Sequence, residues 1–204
     1  MRSLVGLGAL AVLLVGGCSA PAPEAPAQPP TPPAVANPVS ISIPKLGAES
    51  DLMYLGRDAT GALEVPPVEH PEVAGWFAGD DIDEDGDETK PGQRGSAVVA
   101  AHVDGRGPDG QPGFPGLFAH LSSLVPGDEV LVEQEGGTTL RFVVESVEAF
   151  EKVAFPGERV YLRDDAVRLN LVTCGGSFDE KAGHYVDNVV AFTKLAPDTA
   201  AGGE

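Results

Sequence analysis

The chain has 204 residues, of which 42% are hydrophobic, and this length and composition suit one folded domain with appendages. Its 13 Lys and Arg residues face 31 Asp and Glu residues, which gives a formal net charge of −18 at pH 7. Proteins that bind nucleic acid neutralise phosphates with basic patches, so this charge argues against nucleic acid as a partner.

The amino terminus has the features of an export signal. Met1-Arg2 is a minimal positively charged region, and an apolar run over residues 4–15 is too short to span a bilayer. Small residues then precede Cys18, as in a bacterial lipobox, where the Cys becomes the lipid-bearing first residue of the mature protein. We therefore expect a signal peptide over residues 1–17 and a lipoprotein anchored to the outer face of the cell membrane through Cys18. The alternative is an uncleaved anchor with an incidental Cys.

A proline-rich segment follows the predicted lipidation site. Residues 19–38 contain eight prolines and few apolar side chains that could offset the entropy of ordering. As an extended polyproline II chain this segment would span roughly 60 Å at ~3.1 Å per residue. We interpret residues 18–38 as a lipidated tether, residues 39–196 as the folded domain and residues 197–204 as a disordered tail.

Alternating apolar and polar residues predict a mostly β domain. The pattern gives strands near residues 39–43, 52–55, 95–101, 129–133, 139–147, 167–174 and 185–193. We expect a Gly/Pro loop over residues 105–116, a short helix over 117–124 and an irregular connection over 151–166. Trp76 and Phe77 are expected to be a packing anchor within an irregular region. Together these elements predict a closed or nearly closed barrel of seven to eight strands, rich in antiparallel pairs and with short helices.

The strand near residues 167–174 carries a thiol at its end. The pair Gly175-Gly176 follows directly, so we expect the strand to stop just after Cys174 and leave the thiol within reach of a substrate. If Cys18 is lipidated, Cys174 is the one remaining thiol of the chain, and an unpaired Cys in an exported protein suggests reactivity. The alternative is a buried thiol of the core.

A histidine occupies the corresponding place on another strand. The apolar run over residues 95–101 ends at His102, where a buried strand meets a turn. A lone His in this position is more often structural. We interpret His120, within the predicted short helix, as a surface or packing residue.

An acidic segment lies between these elements. Residues 80–88 include seven acids, and Asp81, Asp83 and Asp85 followed by Gly86 match the opening of a calcium loop. The twelfth position of that loop is Gly92 in place of the bidentate Glu. A solvated acidic loop is therefore the favoured alternative to a calcium site.

Taken together, the motifs resemble those of the sortase family, most closely the class F (actinobacterial) type. Leu171-Val172-Thr173-Cys174 matches the family's L-x-T-C motif, and Ala101-His102-Val103-Asp104 matches a histidine motif that usually reads G-H-x-D. The resemblance covers roughly residues 39–195. Further matches are Ile41-Ser42-Ile43-Pro44, Gly75-Trp76-Phe77, Pro91-Gly92, Pro126-Gly127-Asp128 and Asp187-Asn188-Val189-Val190.

The resemblance implies a monomeric β-barrel cysteine transpeptidase (hydrolase class) on the outer face of the membrane, with no required cofactor. Sortases cleave LPxTG-type sorting signals between Thr and Gly, hold the acyl half as a thioester and transfer it to an amine, such as that of a cell-wall precursor. Cys174 would then be the nucleophile, since thiolates attack carbonyl carbons well, and His102 would protonate the leaving amine.

The sequence departs from the family pattern at the third catalytic residue. Sortases place an Arg one strand after the nucleophile, and alignment of the last strand puts Asn188 there. An Asn amide donates a hydrogen bond to an oxyanion without a positive charge. An arginine from elsewhere is an alternative, namely Arg94, Arg163 or Arg168. The departure motivates a second hypothesis, a catalytically weak or inactive lipoprotein that binds peptide or calcium. An L,D-transpeptidase is disfavoured because those enzymes have S-H-G-C around the nucleophile.

Overall fold

Strands dominate the computed structural model, which describes residues 35–79 and 89–197. The predicted signal peptide, Cys18, the calcium-loop residues Asp81, Asp83 and Asp85, and the tail from residue 198 onward lie outside these ranges. The strands of the described residues are β1 (Pro38–Ile43), β2 (Ala48–Leu55), β3 (Ala74–Phe77), β4 (Gly95–Ala101), β5 (Asp104–Arg106), β6 (Pro112–Pro115), β7 (Glu129–Gln134), β8 (Thr139–Glu151), β9 (Val167–Asp179) and β10 (His184–Leu195).

Eight of these strands close into a barrel in the order β1-β2-β3-β4-β9-β10-β8-β7. Antiparallel pairing of β7 with β1 closes the barrel, and closure removes the exposed edges that an open sheet would leave. Two neighbouring pairs, β2 with β3 and β4 with β9, are parallel, and the other pairs are antiparallel. The prediction of a mostly β, closed barrel of seven to eight strands is confirmed.

Strand β4 lies at the centre of the packing. All seven of its residues are buried, which explains why its sequence is nearly continuously small and apolar. Ala97, Val99 and Ala101 point into the barrel core, where Phe118, Phe142, Leu169 and Leu171 also pack. Val98 points to the opposite face and packs in a second cluster with Val160, Val190 and Phe192.

Helical elements are short. One α-helical turn, α1 (Gly157–Val160), covers the second cluster, and 3-10 turns occupy Pro44–Leu46, Leu121–Ser123 and Lys152–Ala154. No helix within residues 35–79 and 89–197 has the length and apolar character needed to cross a bilayer.

Three segments hold more regular secondary structure than predicted. Trp76 lies in a strand, β3, because its backbone pairs with both β2 and β4, and its side chain is buried as predicted. The predicted loop over residues 105–116 contains the separate two-stranded sheet of β5 and β6. The predicted connection over residues 151–166 includes α1 and a 3-10 turn.

Within the segment 117–124, a turn and the 3-10 turn Leu121–Ser123 take the place of the predicted short helix. Phe118, Leu121 and Leu124 are buried at intervals of three residues. The N–H of Leu121 donates to the carbonyl oxygen of Phe118, and the N–H of Leu124 donates to that of Leu121. A three-residue period matches the 3-10 turn, in which residues i and i+3 eclipse, better than it matches an α-helix.

Candidate active site

The parallel pairing of β4 and β9 brings Cys174 and His102 to one place. Ala100 lies opposite Val172 in the last registered pair, so two further residues along each chain reach His102 and Cys174. Both side chains line a single cavity of about 490 Å³, which we call the thiol cavity. Its lining residues are Arg57, Gly61, Ala62, Leu63, Val65, Ala100, Ala101, His102, Lys152, Phe155, Tyr161, Val172, Thr173, Cys174 and Asn188.

Cys174 is a free, half-buried cysteine that opens onto this cavity. The prediction that its strand stops at Gly175-Gly176 is wrong, since β9 continues to Asp179. The strand continues because Gly175 pairs with Asp187 of β10, and Gly176 absorbs a register shift with a φ of 74°. A Cβ at Gly176 would collide with the Asp187 carboxylate, so the close approach of that side chain requires a glycine here. The thiol is therefore accessible because it faces a cavity, although Cys174 lies within its strand.

His102 directly follows β4 and is half-buried. Its Nε2 lies 2.6 Å from the carbonyl oxygen of Pro66. A carbonyl oxygen only accepts hydrogen bonds, so Nε2 carries a proton and donates it, and Nδ1 is the remaining ring nitrogen. The main chain is also held, because the amide of Phe118 donates to the His102 carbonyl at 3.0 Å. His120 is exposed and does not line the cavity, in agreement with its predicted surface position.

Asp104, two residues after His102, connects this turn to β10. The hydroxyl of Tyr185 donates a 2.6 Å hydrogen bond to the Asp104 carboxylate. This bond, together with burial and the nearby Asp104 charge, raises the pKa of Tyr185 to about 12. The phenol thus stays protonated and keeps donating at any physiological pH.

Asn188 lies directly opposite Cys174 in the antiparallel pair of β9 and β10, and it lines the thiol cavity. None of the three arginines proposed as alternatives is among the lining residues. Arg94 pairs with Asp165 at 2.9 Å and Arg168 pairs with Asp164 at 2.5 Å. Arg163 lines a separate, smaller pocket.

Two cationic residues of the cavity were missed by sequence reasoning, namely Arg57 and Lys152. The guanidinium of Arg57 lies 4.8 Å from the centre of the Phe77 ring and donates to the carbonyl oxygen of Gly61 at 3.2 Å. Lys152 begins the 3-10 turn after β8. No local motif marks either residue, because the barrel brings them to Cys174 from distant positions in the chain.

Most of the remaining cavity wall is apolar. Leu63, Val65, Phe155 and Val172 contribute aliphatic and aromatic surface, and Tyr161 adds a ring whose hydroxyl has a raised pKa, chiefly because of burial. Such a surface suits the apolar side chains of a peptide.

A metal site is not found within residues 35–79 and 89–197, where no group of three or more His, Cys, Asp or Glu side chains is arranged to hold an ion. The predicted calcium ligands Asp81, Asp83 and Asp85 lie outside those ranges, so the calcium prediction stays open.

The fold and this cavity define a β-barrel protein with a thiol inside one strand and an imidazole directly after the neighbouring parallel strand, both lining one cavity. The family model described as the Sortase domain matches residues 41–196, and the chain therefore belongs to the sortase family, a family of cysteine transpeptidases. A search of curated proteins gives no match.

Solved structures share the fold. The chain resembles a sortase D5 transpeptidase of Clostridium perfringens with a TM-score of 0.51 and 15% identity, over 78% of this chain and 79% of that one. It resembles a sortase C of Streptococcus pneumoniae with a TM-score of 0.54 and 18% identity, over 82% and 71% of the two chains. A sortase C of Clostridium perfringens SM101 gives a TM-score of 0.52 at 14% identity, over 78% and 70%. At these identities the likeness concerns the fold alone.

Proposed function

We propose that this protein is a class F type sortase that cleaves an LPxTG-type sorting signal between Thr and Gly and transfers the acyl half to an amine at the cell surface. The observation that carries the proposal is that Cys174 in β9 and His102, directly after the adjacent parallel strand β4, line one largely apolar cavity. A rigid barrel is a suitable support for two groups that must keep fixed positions relative to one substrate carbonyl.

The proposed reaction has two halves. The Cys174 sulfur attacks the Thr carbonyl carbon, the Thr–Gly C–N bond breaks, and protonated His102 gives a proton to the departing Gly amine. An amine then attacks the thioester, His102 takes up its proton, and the C–S bond breaks to release the thiolate. The side-chain amide of Asn188 donates a hydrogen bond to the oxyanion in both halves. None of these steps uses a cofactor.

The proposed location follows from the amino-terminal sequence. Lipidation of Cys18 would hold the enzyme at the outer face of the membrane, where sorting-signal proteins and cell-wall amines meet. Cys18→Ala should leave an unprocessed precursor or release the protein from the detergent phase. Unchanged mass and partitioning in that variant would contradict the proposal.

The test of the reaction is incubation with LPxTG-type peptides and either hydroxylamine or an amine acceptor, followed by mass spectrometry. The expected products are the hydroxamate or the amide of the acyl half. Release of a free Gly-terminal fragment without any acyl transfer would indicate a hydrolase, and no cleavage of any peptide would contradict the proposed function.

A second candidate is a weakly active or inactive sortase-like lipoprotein that binds peptide or calcium. The presence of the uncharged Asn188 in place of an arginine favours it. If Asp81, Asp83 and Asp85 bind calcium, millimolar calcium should raise the melting temperature, and replacing all three by Asn should remove that rise. No calcium effect on the wild type would favour a solvated loop.

A further inference from the structure

The thiol cavity differs in charge from the rest of the protein. The chain has 31 acidic and 13 basic residues, excluding His. Nevertheless, the cavity lining contains Arg57 and Lys152 and, among the described residues, no Asp or Glu. Two cations therefore line the same cavity as the proposed nucleophile in a strongly anionic protein.

The charges of these two cations are not neutralised by a neighbouring acid in the part of the chain that the structure describes. Arg57 contacts the Phe77 ring and the Gly61 carbonyl oxygen, and within residues 35–79 and 89–197 neither it nor Lys152 has a carboxylate partner. Among the described residues, six other basic side chains are paired with acids: Lys45 with Asp128, Arg94 with Asp165, Arg141 with Glu129, Arg159 with Glu148, Arg168 with Asp164 and Lys194 with Glu145. A carboxylate from a ligand would complete the charge balance of the cavity.

We propose that the cavity selects donor peptides with an acidic side chain in the acyl half, and that Arg57 and Lys152 determine this specificity. The inference rests on the proposed function, because it names the substrate class of that same site. The apolar wall formed by Leu63, Val65 and Phe155 takes the apolar residues of the peptide, while the two cations bind its carboxylate.

Electrostatics explains why the cations would be needed. A net charge of −18 repels an acidic peptide at long range. Local cations reverse the sign of the potential where the peptide binds, and complementary charges of this kind supply specificity more than affinity. Because exposed charge pairs are individually weak, we expect a preference of about 3-fold to 10-fold in kcat/KM for a Glu-containing peptide over its Gln analogue.

The experiment compares peptides that contain Glu, Gln or Lys at the variable position of L-P-x-T-G, and a second series with the same residues just before Leu. Enzymes are the wild type, Lys152→Glu, Arg57→Gln and the matched control Lys181→Glu. Lys181 is exposed in the turn between β9 and β10 and does not line the cavity, so its replacement makes the same change in net charge at a distance.

We expect the wild type to prefer Glu in at least one series, Lys152→Glu to shift the preference toward Lys, and Lys181→Glu to leave it unchanged. High salt should weaken the preference. Equal rates for all three peptides, or an equal shift in the Lys181→Glu control, would overturn the inference. An equal loss for every peptide in Arg57→Gln would assign Arg57 to the chemistry and overturn its role in selection.

A binding measurement separates this inference from the proposed function. Fluorescence anisotropy with labelled peptides and the Cys174→Ala protein reports charge preference without any reaction. A Glu preference in binding, without cleavage by the wild type, would support the inference and contradict the proposed transpeptidase. Cleavage without charge preference in either assay would support the proposed transpeptidase and overturn this inference.

Discussion

The side-chain hydroxyl of Thr173 donates a 2.8 Å hydrogen bond to the carbonyl oxygen of Ala101. These two buried residues directly precede Cys174 and His102, so the bond joins the strand of the thiol to the strand of the imidazole where both reach the cavity. The bond gives a physical reason for the Thr that precedes Cys174, since a side-chain hydroxyl is needed to donate to the Ala101 carbonyl.

Thr173→Val tests this bond with a nearly isosteric side chain. We expect a loss of about 1–2 kcal/mol in the free energy of unfolding, because a buried carbonyl loses a donor. We also expect slower acylation, because β4 and β9 lose a bond that fixes their spacing beside His102 and Cys174. Urea unfolding and single-turnover kinetics measure the two effects. Thr173→Ser keeps the hydroxyl and is the control, and equal acylation rates for Val and Thr at this position would refute the positioning role.

Replacing His102 by Ala should lower kcat/KM by about 10²-fold or more, the usual scale for a lost general acid. The loss should be smaller for a peptide ester that has a good leaving group, because departure then needs little protonation. His120→Ala is the matched control, since His120 is exposed and outside the cavity. Full turnover of an amide peptide by His102→Ala would exclude His102 from the reaction.

Asn188→Ala should lower kcat by ~10-fold to 10²-fold with little change in KM, because an oxyanion donor acts chiefly in the transition state. Steady-state kinetics with varied peptide concentration give kcat and KM separately. A rise in KM alone would indicate that Asn188 binds the peptide ground state. If the wild type forms no acyl-enzyme but Asn188→Arg does, the chain is a sortase that has lost its reaction.

The ion pair of Glu148 and Arg159 predicts a pH dependence of stability. The hydrogen bond from Arg159 lowers the pKa of Glu148 to about 2 from an ordinary value of 4.5. A lowered folded-state pKa stabilises the fold above the unfolded value, and this stabilisation is lost as the pH falls from about 4.5 toward 2. Glu148→Gln should therefore be less stable than wild type at pH 7, and the difference should shrink in acid.

Denaturant titrations between pH 3 and pH 7 measure that difference. Glu151→Gln is the control, since Glu151 is exposed on the same strand and has no ion-pair partner among the described residues. A difference for Glu148→Gln that is constant across this range would show that the carboxylate contributes no pH-dependent stabilisation.

Local patterns predict much of this fold. The continuous apolar run of β4 is found at the predicted bounds because every one of its residues is buried. The last strand was predicted over residues 185–193, and within it Asn188 lies opposite Cys174, because β9 and β10 keep one register from Asp187 to Lys194.

Other features depend on partners that are distant in sequence. Gly175 and Gly176 looked like a strand end, yet pairing with β10 continues β9 through them. The hydrogen bond from His102 to Pro66 and the presence of Arg57 and Lys152 in the cavity depend on how the barrel closes. Such long-range relationships have no local sequence signal.

The most direct test of the central claim is the intact mass of the full chain after incubation with an LPxTG-type peptide, followed by peptide mapping of any adduct. We expect wild type to gain the mass of the acyl half, located on Cys174 and removed by hydroxylamine, and we expect Cys174→Ala to gain nothing. An adduct that persists in Cys174→Ala, or wild type that acquires no adduct with any sorting-type peptide, would contradict the claim that Cys174 is the nucleophile of a transpeptidase.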